Sequence, residues 1–419
     1  MRVLFLTTEF LWPAASGGPV RSLSQVRIIA SLPEVESVTV MSLAEEPVAA
    51  AHVRAFEANV PKVSAIPPIF HPIHLWDFPK YVPRVVGLRL LDVPYLAGKW
   101  DSPAVRKMLR AELAGRDVDV VYIDHLGMAR YLPLVKKVRP KARVVLDQHN
   151  VESDFFKQFA EKQRGPKRLV AKAEASCASR FERRVMQAAD AIVAISNEDA
   201  KHFRALAAVE PYVVPVVLPF ERRTRTPPSK PHLCYVGNLR WHPNVAGLDW
   251  FCQKVWHKVR ELVPDATLEI AGIGLKPDAS GKLPVPEAWR VPGVETVGFL
   301  EDLEPLYARS VAMAAPVFGG SGVRLKLLEG LRAGIPVVTT SDGAFGLPLE
   351  DGREMLIADD EDGFAQRIAR VLREAELRAA LVREGYAFLE RCHSLGVAQA
   401  VMRRVLGLPQ APGAAAAAE

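Results

Sequence analysis

Cysteine is scarce in this chain: 419 residues contain four, at positions 177, 234, 252 and 392. None stands in a C-x-x-C pair and no histidines cluster near them, which excludes a disulfide framework and a cysteine zinc site and suits a reducing compartment. Long apolar runs are missing too. A spanning helix needs roughly 20 apolar residues, and no stretch of the chain approaches that. The N-terminus passes from a short apolar run, Val3 to Thr8, directly to Glu9; lacking a cationic lead-in and a small-residue cleavage site, it does not read as a secretion signal. A cytoplasmic location is expected.

Two nucleotide-binding signatures are also absent. No G-x-G-x-x-G follows the first apolar run, and Gly320-Ser321-Gly322 leads into Val323-Arg324 instead of Gly-Lys-Ser/Thr, so neither a dinucleotide fingerprint nor a P-loop is present. Acidic residues form no metal set: Asp117-Val118-Asp119 opens a strand, and Asp359-Asp360-Glu361-Asp362 follows one and can cap the next helix. No metal site is expected. The net charge of +6 does not indicate nucleic acid, because the surplus is local: between Lys157 and Arg184 nine Lys or Arg stand against three Glu, a difference of six. Phe156, Phe159, Leu169, Val170 and Phe181 lie among these charges. The stretch reads either as a solvated helical face or as a surface attracted to anionic lipid, which would make the protein peripheral on the inner face of a membrane.

What is present is apolar runs of strand length between amphipathic stretches, the pattern of parallel β-α-β units. In the first half the runs are Val3 to Thr8, Val38 to Leu43, Val118 to Ile123, Arg143 to Leu146 and Ala191 to Ile195. In the second they are Leu233 to Val236, Thr267 to Ala271, Glu295 to Phe299, Val311 to Pro316, Val337 to Thr340 and Met355 to Ala358. Single cores rarely grow beyond roughly 250 to 300 residues, so an α/β chain of two doubly wound, Rossmann-like domains facing across a cleft is expected. The predicted bounds are an N-terminal domain over 1–218, a proline-rich and charged linker over 219–231, and a second domain over 232–390. A helix within 391–408 is expected to pack back on the first domain, followed by a disordered tail over 409–419. Pro61 to Trp100, rich in proline and holding Trp76, Phe78, Tyr81, Tyr95 and Trp100, reads as a covering loop or part of a binding surface.

The segment that carries most chemistry is Phe318-Gly319-Gly320-Ser321-Gly322-Val323-Arg324-Leu325-Lys326-Leu327-Leu328-Glu329. It reads as a strand end, a glycine turn and a short helix with cations in its first turns, which brings backbone N–H groups and two positive side chains to one point and predicts a phosphate site. Leu325, Leu328 and Leu331 recur at three-residue spacing and predict the buried stripe. After the first strand, Gly17-Gly18-Pro19 lets backbone approach a ligand closely and opens a helix. Arg143 to Leu146 ends in Asp147-Gln148-His149-Asn150, where His149 can carry charge or hydrogen-bond a ligand, or merely satisfy a turn; Asp124-His125 ends the preceding strand similarly. In the second half Gly237 and Arg240 follow a strand in the same way, with Asn244 read as a helix cap.

Taken together, these segments resemble the family-4 type of retaining glycosyltransferases (glycosyl transferases group 1), over nearly the whole chain and most specifically at 318–340. The resemblance implies the GT-B fold and transfer of a hexosyl unit from a UDP- or GDP-linked sugar to the hydroxyl of a saccharide or lipid-linked acceptor, with retention at the anomeric carbon and without metal, in polysaccharide or glycolipid assembly. The nucleotide sugar is a co-substrate and no cofactor is implied. Of the family's two glutamates, the ribose-binding one matches Glu329, while Ser321 stands where the sugar-reading one would be. Where the family commonly has Arg and Lys after the first strand of the second domain, this chain has Asn238 and His242-Pro243; Arg324 and Lys326 take their place, as in a branch whose motif reads G-x-R-L-K-x-L-E. His149 matches the histidine that contacts the transferred sugar. The implied catalytic residues are therefore His149, Arg324 and Lys326, with Gly17, Gly18, Gly237, Arg240, Gly320, Ser321, Gly322 and Glu329 on the donor. The alternatives are a GT-B nucleotide-sugar epimerase and a non-catalytic sugar-nucleotide binding protein.

Overall fold

The computed structural model describes residues 1–14, 17–71, 92–161, 163–223, 225, 228–278, 280–319 and 322–410. Trp76, Phe78 and Tyr81, and the tail from 411, lie outside the described residues. The chain divides into two compact units: Met1–Val217 together with the stretch from Leu395, and Leu218–Ser394.

In the first unit an eight-stranded sheet is built from β1 (Arg2–Thr7), β2 (Ser37–Ala44), β3 (Val63–Ala65), β4 (Ile69–Phe70), β5 (Val120–Asp124), β6 (Arg143–Asp147), β7 (Ala191–Ala194) and β8 (Tyr212–Val213). The order is β3-β2-β1-β5-β6-β7-β8, with β4 on β2 and every pairing parallel. The five apolar runs become β1, β2, β5, β6 and β7; the two- and three-residue strands β3, β4 and β8 are too short to carry a period. Both faces are covered, so each central strand is apolar throughout, as a buried parallel strand must be. Leu4 and Leu6 of β1 pack with Leu109 and Phe203 on one side, while Val3 and Phe5 pack with Val26 and Ile29 on the other. The helix Leu395–Leu406 belongs to this second layer, burying Ala398, Met402, Val405 and Leu406. Trp100, from the aromatic segment, covers the first layer: a Cβ on Gly127 would come 2.3 Å from its ring.

The second unit holds β9 (His232–Val236), β10 (Thr267–Ala271), β11 (Val294–Gly298), β12 (Ala312–Ala315), β13 (Val337–Thr339) and β14 (Leu356–Ile357) in the order β11-β10-β9-β12-β13-β14, again parallel. All six apolar runs of the second half appear as strands. Phe220, Arg222 and Arg223 are pinned to this unit, Phe220 stacking on Tyr386 and Arg222 and Arg223 pairing with Glu390 and Glu304.

Candidate functional site

In each sheet the strand order reverses beside the first strand, between β1 and β5 and between β9 and β12. Loops leaving neighbouring strands there diverge to opposite faces, so a crevice opens at the carboxyl ends and ligands bind in it. The sequence segments with Gly17-Gly18, with Gly237 and Arg240, and over 319–329 follow β1, β9 and β12 at these points, while the segment with His149 follows β6, one strand beyond β5.

In the second unit, β12 runs into the glycine segment and the helix Leu325–Arg332. Gly319 and Gly322 hold left-handed backbone, φ 71° and 78°, which glycine adopts without strain. Gly320 and Ser321 lie outside the described residues. Arg324, immediately before the helix, is 4% exposed; it donates to the carbonyls of Gly322 and Gly319 at 2.9 Å each and lies 5.0 Å from the Trp241 ring. Its guanidinium thus braces the turn. Lys326 is placed differently: its Nζ donates to the Tyr235 hydroxyl at 2.9 Å and to Asn244 Oδ1 at 2.7 Å. No carboxylate among the described residues pairs with it. Burial, reinforced by the charge on Arg324, pulls its pKa down to about 7.

Gly237 makes this arrangement possible, since a Cβ there would lie 2.9 Å from the Tyr235 hydroxyl and 3.1 Å from Lys326 Nζ. Asn244, read from sequence as a cap, instead holds Lys326 and donates to the Asn238 carbonyl. Arg240 is exposed and its Nε donates to the Gly274 carbonyl. Glu329 accepts from Arg332 at 2.8 Å. The predicted leucine stripe needs correction: Leu325 is partly exposed, whereas Leu327, Leu328, Gly330 and Leu331 are buried. The helix packs against the sheet and against Ala375–His393, so its covered sector is wider than one stripe.

In the first unit, Gly17 and Gly18 open the helix Gly17–Ser31, and a Cβ on Gly18 would come 2.4 Å from Glu9 Oε1. Asp124, at the end of β5 and fully buried, is a hub. Its Oδ2 accepts from Thr7 at 2.8 Å, Ser22 at 2.7 Å and His125 Nδ1 at 2.9 Å, and its Oδ1 meets His149 Nε2 at 2.8 Å. The two rings lie 3.8 Å apart. Burial alone would lower the His125 pKa, but Asp124, helped by Glu9 and Asp147, outweighs it and lifts the ring to about 9. The His149 pKa is instead lowered, by burial and by the charge on His125, against the pull of Asp124. His125 is also the more exposed of the two, 21% against 8%. Burial raises the carboxyl pKa values of Glu9 and Glu152. Below this group, Asp147 is held by Arg21 at 2.8 Å and Tyr122 at 2.7 Å.

Where the sequence reading put His149 foremost and noted Asp124-His125 only as a similar strand end, the fold joins the three and adds Glu9. The only advance signal was that Glu9 and Asp124-His125 end strands. Nor did the sequence yield a metal set, yet Asp124, His125 and His149 place ligand-type atoms within 4.8 Å of one another. In this structure those atoms serve each other, both rings meeting the one carboxylate. A cavity of about 370 Å³ lined by Arg2, Thr39, Glu112 and Arg116 lies at the amino ends of β1 and β2, away from these groups; Arg2 and Arg116 are already paired with Glu36 and Glu112.

Residues 230–374 match the family model of the glycosyl transferases group 1. An uncharacterized 44.6 kDa protein in the cps region of Klebsiella pneumoniae is 27% identical over 183 residues, 43% of this chain. That match spans about half of the relative, 47% of its length. Among solved structures, the sucrose-phosphate synthase of Thermosynechococcus elongatus superimposes with a TM-score of 0.67 at 13% identity, covering 97% of this chain and 98% of the other. S. aureus TarM, in a complex with UDP, gives 0.69 at 8% identity and coverage of 97% and 100%; Anabaena HepE, with UDP and glucose, gives 0.61 at 14% and coverage of 97% and 99%. The fold is thus GT-B, and residues 230–374 of the second unit are similar to the glycosyl transferases group 1.

Proposed function

We propose that this protein transfers a hexosyl unit from a nucleoside-diphosphate sugar to an acceptor hydroxyl with retention of configuration, in the assembly of a polysaccharide or glycolipid. The observation that carries the reading is Lys326. An ammonium held by a hydroxyl and an amide oxygen, without a carboxylate, at the carboxyl ends of β9 and β12 has a charge left to neutralise, and a diphosphate would neutralise it. It stands inside the segment that matches the glycosyl transferases group 1. UDP is favoured over GDP because HepE and TarM, which share the fold, bind UDP.

In this reading Arg324 keeps the glycine turn in shape and adds positive potential, Gly237 and Gly322 give the diphosphate close approach, Arg240 flanks it, and Glu329 accepts from the ribose. Gly320 and Ser321 are assigned to the donor. Gly17, Gly18, His149 and the charged His125 are assigned to the sugar and acceptor. The bond from the anomeric carbon to the diphosphate oxygen breaks with its electron pair on the phosphate. The acceptor oxygen bonds to the same face of that carbon, and its proton passes to the departing phosphate. Lys326 and Arg324 stabilise the charge that develops, the part a metal would otherwise take. Free thiols at Cys177, Cys234, Cys252 and Cys392 suit a cytoplasmic site of action.

The Lys326→Ala variant should lower turnover by about 10²-fold, the size expected for losing one contact to a developing anion, with unchanged circular dichroism; full activity would remove the proposed phosphate site. Chelator should leave the rate unchanged, and a strict divalent-metal requirement would refute metal independence. One observation favours a second reading: Glu9, His125 and His149 supply the titratable groups that a nucleotide-sugar epimerase needs. Product analysis separates the two, since transfer or hydrolysis releases the free nucleoside diphosphate and epimerisation does not.

A further inference from the structure

The basic stretch 157–184, which the donor chemistry leaves unused, divides in two. At its C-terminal end Arg180 pairs with Asp92 at 2.6 Å, Arg184 donates to the Asp92 carbonyl and Arg183 to the Leu206 carbonyl, so these cations hold the first unit together. Lys157, Arg164, Lys167, Arg168 and Lys172 are exposed, and none forms an ion pair with a described residue. Between 154 and 172 the acids are Asp154 and Glu161.

Among the free cations stand Phe155, Phe159, Leu169 and Val170, exposed by 52%, 47%, 71% and 69%. Folding does not call for them there. The helix Pro166–Ala188 buries Ala171, Ala175, Ala178, Phe181 and Val185 on its inner face, whereas residues 164–170 are all exposed. On the helix Glu152–Glu161, Ser153 and Ala160 face inward, and Phe155 and Phe159, four apart, form an outward stripe. The two helices pack along each other, joined through residues 162–165, so the apolar side chains and the free cations share the end of one helical hairpin.

A soluble polyanion would satisfy the cations and leave the aromatic rings in water, while a neutral apolar surface would do the reverse. The boundary of an anionic bilayer takes both, headgroups meeting Lys and Arg and acyl chains meeting Phe, Leu and Val. We propose that the end of this hairpin docks the protein on an anionic phospholipid surface, through Phe155, Phe159, Leu169 and Val170 with Lys167 and Arg168 beside them. The proposal rests on the glycosyltransferase reading only in giving the surface a purpose, delivery to a lipid-borne acceptor, and its test does not involve the donor site.

The test is co-sedimentation of the full chain with vesicles of phosphatidylcholine alone or mixed with phosphatidylglycerol. The wild type should bind the anionic vesicles, bind the neutral ones weakly, and lose binding as salt is raised. Leu169→Glu with Val170→Glu, and separately Lys167→Glu with Arg168→Glu, should each weaken binding about tenfold or more. Both variants should keep the thermal shift given by UDP, so a lost shift would report on the donor site and not on this surface. Equal binding of wild type and both variants, or no binding to anionic vesicles, would overturn the proposal. So would a concentration-dependent dimer abolished by the Leu169 and Val170 changes, which would assign the patch to a second copy of the chain.

Discussion

At the scale of single residues, the central quantity is the charge on Lys326. Around it are the Tyr235 hydroxyl, the Asn244 amide oxygen and the Arg324 guanidinium, none of which stabilises an ammonium as a carboxylate would. With a pKa near 7, the free protein holds only part of this proton at neutral pH, and a bound diphosphate would hold all of it. UDP binding should therefore take up a proton, and affinity should fall as pH rises above about 7. Calorimetric titration in two buffers of different ionisation heat measures the uptake. Lys326→Arg, whose guanidinium keeps its charge, should abolish it, and a wild-type heat independent of buffer would contradict the assignment. His125 shows the opposite balance, its burial being outweighed by Asp124. Two cationic groups with opposite shifts follow from whether a buried carboxylate stands beside them.

At the scale of elements, helix ends are satisfied by partners far away in sequence. Glu182, buried in Pro166–Ala188, accepts from the backbone N–H of Glu152 at 2.9 Å and of Ser153 at 3.3 Å, the first turn of the neighbouring helix, whose orphan donors need an acceptor. Burial raises its carboxyl pKa to about 7. Glu182→Ala should cost about 1–3 kcal/mol in chemical denaturation, the range for leaving buried donors without a partner. A raised acid contributes stability that is complete below its unfolded value of 4.5 and is lost as pH rises through about 7. The wild type should accordingly lose stability relative to Glu182→Gln across that window; a pH-independent difference would show that the carboxyl does not titrate there. The sequence offered only a glutamate in a basic stretch, because the cap joins residues 30 apart.

At the scale of the whole molecule, the chain leaves the first unit near Val217 and re-enters it at Leu395. Within that unit Arg403 pairs with Glu34, and the Val405 carbonyl accepts from Arg143. Burying Ala398, Met402, Val405 and Leu406 is worth several kcal/mol, at about 1.5–3 for each large side chain. Truncation after Ser394 should lower the melting temperature of the first unit or render it insoluble, while the second unit still shifts with UDP. A truncated chain melting like the full one would mean that the helix contributes little to the first core.

The sequence by itself determined eleven of the fourteen strands, because a parallel strand covered on both faces must be apolar along its length, and eleven apolar runs say so without reference to anything distant. It also determined the glycine turn with Arg324 and Lys326, since both cations and the turn lie within one short segment. Tertiary structure decided which residues meet: β1, β5 and β6 bring Glu9, Asp124-His125 and His149 together from three places in the chain, and β9 with its following helix brings Tyr235 and Asn244 to Lys326. Local periodicity reports which face of an element is buried. Charge, protonation and the division of the basic stretch into engaged and free cations depend on distances between elements, and only the fold sets those.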